Sequence, residues 1–204
     1  MKHLFVIGDS ISIQYGPYLK KFVDDRYHYD RKRGEAQALV DLDTPVGANG
    51  GDSRMVLDYL LGEQQRSVKY DILLLNCGLH DIKTSPVTRE KQVPPDKYSE
   101  NLKQIIHVAQ TMTDSFVWIR TTDVITEIHN AISKPFKRYH EDVLAYNAIA
   151  DELMREYNIP MIDLYSFTSK FGPQAYCDHV HFTEEVRHLQ AAFIAGFLES
   201  MVQT

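Results

Sequence analysis

Short apolar runs alternate along this chain with longer stretches of helical periodicity, and that alternation constrains the fold more than any other feature. It is the pattern of strands joined by crossing helices in a parallel sheet. The first strand is read at Lys2–Ile7, and the strongest buried strand at 71–77, Asp-Ile-Leu-Leu-Leu-Asn-Cys. Two further strands are read at 116–120 and 161–164. Helices are expected over 15–23, over Ser53–Gln65, from Pro95 to about Thr111, over 138–157, and over 183–202 with Thr183 as its cap. In the second of these, Met55, Val56, Tyr59 and Leu60 recur at helical spacing. The polar, turn-rich region 24–51 carries only one weaker apolar run, at 36–42.

The expected architecture is therefore α/β, a three-layer α/β/α sandwich around a central parallel sheet. A chain of 204 residues, 44% hydrophobic, fits one domain over residues 1–204. No internal repeat, low-complexity tract or long linker divides it. A formal net charge of −6 argues against a nucleic-acid surface. The apolar run at the N-terminus is too short for a signal-peptide core, and no stretch approaches the ~20 apolar residues of a membrane span. A cytoplasmic protein is expected, or a secreted or periplasmic one whose leader has been removed. The two cysteines, Cys77 and Cys177, form no disulfide framework and no zinc spacing. A bridge between them is geometrically open, but two buried free thiols are expected.

In such a sheet, ligands bind beyond the carboxyl ends of the strands. Ser10, Gly78 and the region after Arg120 all emerge there. Gly8-Asp9-Ser10-Ile11-Ser12 follows the first strand directly. A strand running into this turn lifts a serine hydroxyl off the sheet edge, and the next residues start a helix whose N-terminus favours negative charge. Far along the chain lies Asp178-His179-Val180-His181, an acid three residues before a histidine. Serine, acid and histidine are the nucleophile, orienter and general base of acyl transfer. His179 is a rival base, but one residue from Asp178 it folds back onto the carboxylate less readily. Alone, Ser10 would read as a helix cap, and Asp178 with His181 as an ordinary surface loop. An oxyanion also needs preorganised donors. The Ser10 amide and a glycine of Asn49-Gly50-Gly51-Asp52-Ser53 are the natural candidates, although that segment alone reads as a flexible turn.

These residues resemble the SGNH (GDSL) hydrolases, with counterparts of four short family blocks in the right order across nearly the whole chain. Gly8-Asp9-Ser10-Ile11 looks like the nucleophile block, which implies Ser10 as nucleophile. Gly51-Asp52-Ser53 resembles the second block and implies Gly51 as a backbone oxyanion donor. Asp178-His179-Val180-His181 matches the Asp-x-x-His block, implying Asp178 and His181 as the other members of a triad. The resemblance implies a flavodoxin-like sheet, serine esterase chemistry, and no metal or organic cofactor. Gly78-Leu79-His80-Asp81 departs from the family's Gly-x-Asn-Asp. His80 is expected to donate in place of the asparagine, with Asp81 or a backbone carbonyl fixing its tautomer. The alternative is a merely packed His80, with Asn49 supplying the third donor.

The substrate is less legible. The segment 26–33, rich in aromatic and basic residues, stacks a sugar, binds an anion, or is simply a solvated face. The loop 121–135, with Glu127, His129 and Asn130, is expected to wall the pocket by shape rather than chemistry. No long apolar lid or amphipathic anchor is visible, which points away from a lipase working at a lipid interface. A short acyl group, O-acetyl by family resemblance, on a carbohydrate or similar small polar alcohol is the expectation. A thioesterase or lysophospholipase on the same triad, or a non-catalytic carbohydrate-binding relative, are the alternatives.

Overall fold

The computed structural model describes residues 1–133 and 135–202. Five parallel strands form the sheet in the order β2-β1-β3-β4-β5: β1 Lys2–Ile7, β2 Tyr27–Arg31, β3 Tyr70–Leu75, β4 Thr113–Ile119 and β5 Met161–Ile162. The central strands are the apolar runs. Leu4, Val6, Leu73, Leu74, Leu75, Val117 and Trp118 are fully buried, because helices cover both sheet faces. Helix α1 (Ser10–Val23) packs on the last helix, and α4 (Pro95–Met112) packs between α3 (Ser53–Gln65) and α6 (His140–Glu156). This is the three-layer α/β/α sandwich that the alternation requires. Among the described residues, no helix is long and apolar enough to cross a membrane.

Chain order reverses between β1 and β3, so the loops after these two strands diverge and open a crevice at their carboxyl ends. Ser10, the first residue of α1, follows β1 after only Gly8 and Asp9. Helix α1 begins five residues earlier than its apolar periodicity indicates, at Ser10 rather than Tyr15. Asp9 is the reason: its carboxylate accepts the Ile11 amide at 3.0 Å, while Ser12 Oγ donates to the Asp9 carbonyl at 2.7 Å. Thr183 caps the last helix as expected, accepting the Val186 amide at 3.4 Å.

Several elements depart from the sequence reading. Strand β2, Tyr-His-Tyr-Asp-Arg, lies upstream of the weak apolar run at 36–42. An edge strand needs an apolar residue only where it meets a helix, so polar composition hid it. The run itself holds a single helical turn, α2 (Glu35–Ala38), and leaves Leu39 and Val40 exposed. The loop 121–135 contains α5 (Thr126–Ile132). The fifth strand stops at Ile162, because Asp163 accepts the Ser166 amide and starts α7 (Leu164–Ser169). A short 3-10 turn, Pro173–Ala175, precedes α8 (Glu184–Val202). Both cysteines are free, but only Cys77 is buried; Cys177 is exposed, against the expectation of two buried thiols.

Candidate active site

The turn after β1 and the loop before α8 meet at the crevice. His181 Nε2 lies 2.8 Å from Ser10 Oγ, and His181 Nδ1 lies 2.7 Å from Asp178 Oδ2. The other carboxylate oxygen of Asp178 accepts the Val180 amide at 2.8 Å and the His181 amide at 2.7 Å. One carboxylate thus fixes both the backbone and the ring of His181. Burial opposes ionisation of Asp178, yet these hydrogen bonds outweigh it and hold its carboxyl well below the usual range. A charged Asp178 requires the proton on His181 Nδ1, which leaves the Nε2 lone pair facing the serine hydroxyl. Ser10 is nearly buried, so this hydrogen bond is poorly screened by water.

His179 takes no part in this chain of hydrogen bonds. Its Nδ1 lies 2.9 Å from Nδ1 of the fully buried His129, and its Nε2 lies 4.0 Å from Asp43. Burial and the nearby Arg138 push His129 down to about 3, so this imidazole pair is neutral near pH 7. In the same loop, Asn130 accepts the Arg138 amide at 3.0 Å, while Ile132, Ser133 and Pro135 form a wall. The cleft beside it measures about 650 Å³ and is bounded also by Asp43, Pro45, Lys83, Phe136 and His179.

The donor candidates are placed less simply. As the first residue of α1, Ser10 has no intrahelical acceptor for its amide. Gly51 has φ +74, and a Cβ there would lie 2.5 Å from Met55 Sδ, so the position requires glycine. Its amide donates to Asn49 Oδ1 at 3.0 Å, while Asn49 Nδ2 donates to the Leu42 carbonyl at 3.3 Å. Asn49 therefore braces Gly51, with its amide nitrogen turned toward Leu42. His80 is buried, and burial holds its imidazole neutral. Its Nδ1 has no hydrogen-bond partner among the described residues. Among the described residues, neither Asp81 nor a backbone carbonyl accepts from its ring to fix the tautomer. Asp81 instead accepts the Ser53 amide at 2.9 Å, joining the strand-β3 loop to the start of α3.

Several supporting residues escaped the sequence reading. Arg138, buried at 2% exposure, donates from Nε to the Leu79 carbonyl at 2.8 Å and lies 3.3 Å from Asp43. Asn76 ties the ends of β3 and β4, donating to the Ile119 carbonyl at 2.8 Å. Nothing local distinguishes such residues from ordinary surface arginines and turn asparagines. From the segment 26–33, Arg31 and Lys32 turn inward to the loop 47–49. Among the described residues, no three His, Cys, Asp or Glu side chains are grouped to hold a metal ion.

A serine hydroxyl on an imidazole oriented by a carboxylate, at the switch point of a doubly wound sheet, defines a class, the serine hydrolases. The GDSL-like Lipase/Acylhydrolase family model matches residues 6–188, a span containing all these residues. The chain belongs to that family and is a carboxylic ester hydrolase. No curated protein sequence matches it significantly. Solved structures share the fold. A lipase/acylhydrolase from Enterococcus faecalis superposes with a TM-score of 0.74 at 17% identity, over 98% of this chain and 97% of that one. An acetylxylan esterase from Geobacillus stearothermophilus gives a TM-score of 0.67 at 16% identity, over 97% and 93%. A psychrotrophic esterase from Pseudoalteromonas gives 0.68 at 12% identity, over the full length of both chains.

Proposed function

We propose that this protein hydrolyses short-chain acyl esters, O-acetyl esters first, of a carbohydrate or similar small polar alcohol. The observation that carries the reading is the Ser10–His181–Asp178 chain of hydrogen bonds, at 2.8 and 2.7 Å. Ser10 Oγ attacks the ester carbonyl while His181 Nε2 takes its proton. Asp178 keeps the proton on Nδ1 and stabilises the imidazolium that forms. The Ser10 amide, the Gly51 amide and His80 receive the oxyanion; the Gly51 amide swings from Asn49 Oδ1 or shares its hydrogen with both oxygens. His181 then protonates the leaving alcohol, and water repeats the cycle to release the acid. The mixed polar and apolar cleft that His179, the neighbour of Asp178 in the chain, helps to line suits a small polar alcohol, and an acetylxylan esterase has the same fold.

Longer acyl chains, on a thioester or lysophospholipid, are the second reading. The exposed Ile132 at the cleft, with exposed Leu39 and Val40 just before its wall residue Asp41, favours it. Hydrolysis of p-nitrophenyl esters from acetyl to octanoyl, run beside Ser10→Ala, decides between them. Activity confined to short chains and abolished in the variant is the expected result. A wide preference for long chains moves the substrate to acyl lipids or thioesters. Unchanged activity in Ser10→Ala overturns the nucleophile.

A further inference from the structure

We propose that Arg31 and Lys32, at the end of edge strand β2, are positioning residues that hold the loop 47–51 against the Ser10 turn. The proposal rests on the serine-esterase reading above, because it concerns where the oxyanion donors sit. Arg31 is 3% exposed, and among the described residues no carboxylate lies within 4.0 Å of its guanidinium. Burying an uncompensated cation is costly unless its donors are well used. Arg31 Nη1 donates to the Ser12 carbonyl at 2.8 Å, and Nη2 donates to Ser12 Oγ at 3.1 Å and to the Ala48 carbonyl at 3.4 Å. Ser12 lies two residues after the nucleophile, and its own hydroxyl donates to the Asp9 carbonyl. A single side chain therefore touches both halves of the site. Next to it, Lys32 Nζ donates to the Gly47 carbonyl and to the Asn49 carbonyl, the latter at 3.2 Å.

Each of three successive peptide groups is thereby gripped at both ends. Between 47 and 48, Lys32 holds the carbonyl and the Gly34 carbonyl accepts the Ala48 amide at 3.2 Å. In the next group, Arg31 holds the carbonyl of Ala48 and the Val46 carbonyl accepts the Asn49 amide at 3.1 Å. For the third, Lys32 holds the carbonyl of Asn49, and the Gly50 amide donates to the Gly8 carbonyl at 2.8 Å. The Asn49 side chain then sets the direction of the Gly51 amide. The loop has little apolar anchorage of its own beyond the buried Ala48, which packs with Ile13 and Ala38. Its place is set by hydrogen bonds from two cations. Donors stabilise an oxyanion only when they are held in place before the charge develops.

The test uses the whole protein with Arg31→Met, Arg31→Lys, Lys32→Met and Lys32→Arg, beside Ser10→Ala. Turnover of p-nitrophenyl acetate, melting temperature, and inhibition by a short-chain trifluoromethyl ketone are measured for each. In the ketone adduct Ser10 Oγ bonds to the carbonyl carbon, its proton passes to His181, and the carbonyl oxygen becomes the anion. Arg31→Met and Lys32→Met are expected to lower kcat about 10- to 100-fold with KM nearly unchanged. Ketone affinity should fall in parallel, and the Lys and Arg exchanges should recover part of the loss. Should Arg31→Met not fold, Lys32→Met carries the test, because its side chain is only half-buried. Wild-type kcat in Lys32→Met, or lowered kcat with full ketone affinity, overturns the positioning role. If Ser10→Ala is inactive while the cation variants keep kcat, this proposal alone fails. If Ser10→Ala stays active, the esterase reading fails and takes this proposal with it.

Discussion

Ser10 Oγ and His181 Nε2 are 171 positions apart in the chain and 2.8 Å apart in space, whereas Asp178 reaches His181 within one turn. The acid–base pair is a local structure and the nucleophile contact a global one. His80 is the residue whose role most needs measurement. It is buried and neutral, with one ring nitrogen lacking any partner among the described residues. As an oxyanion donor it should contribute on the order of 10² in rate, the usual cost of losing one such group. His80→Ala is therefore expected to lower kcat by that factor with KM little changed. His80→Asn should retain more activity, since an amide also donates. A kcat for His80→Ala within a few-fold of wild type would leave His80 a packing residue.

At the scale of elements, the site depends on one buried carboxyl joining two of them. Asp81, on the loop after β3, accepts the Ser53 amide at the start of α3, and its second oxygen has no partner among the described residues. Burial pushes its pKa up to about 7, so below that pH it is a neutral acid. A native pKa raised above the unfolded value means that folding favours the protonated form. Stability is then full in acid below the unfolded value and declines as pH rises toward about 7. The loss across this window is on the order of 4 kcal/mol. Asp81→Asn keeps the neutral shape and should flatten the fall in melting temperature between mild acid and neutrality. Asp9, also raised by burial, leaves a residual slope. Asp178 works in the opposite direction, but only in strong acid, because its pKa is depressed. An unchanged slope in Asp81→Asn would mean that Asp81 is already ionised in the native protein.

Across the whole molecule, one contiguous apolar core runs from α1 and α8 through the sheet to α3, α4 and α6. A chain with a single core should unfold as one cooperative unit. The sole tryptophan, Trp118 on β4, is fully buried and reports the opening of the sheet. In a urea titration, its emission shift and the loss of far-UV circular dichroism are expected to coincide. Two separated transitions would divide the chain and overturn the reading of residues 1–204 as one domain. The doubly wound order also locates the site, since the strand order of the described residues reverses between β1 and β3.

Near neighbours in the chain are enough to specify the central strands, the main helices, and the pairing of Asp178 with His181. Each of these depends on residues a few positions apart, whose periodicity or turn geometry is set by near neighbours. The rest depends on contacts between distant segments. Strand β2 has too little apolar pattern to announce itself, and its strand geometry comes from pairing with β1. Arg31 and Lys32 read as solvated charges until the loop 47–49 presents its carbonyls to them. His179 stands as near to Asp178 in sequence as any rival base, yet contact with His129 turns it away. The burial that neutralises His80 and raises Asp81 has no local signature either. Such properties arise where distant segments exclude water together, so a charge pattern read along the chain does not contain them.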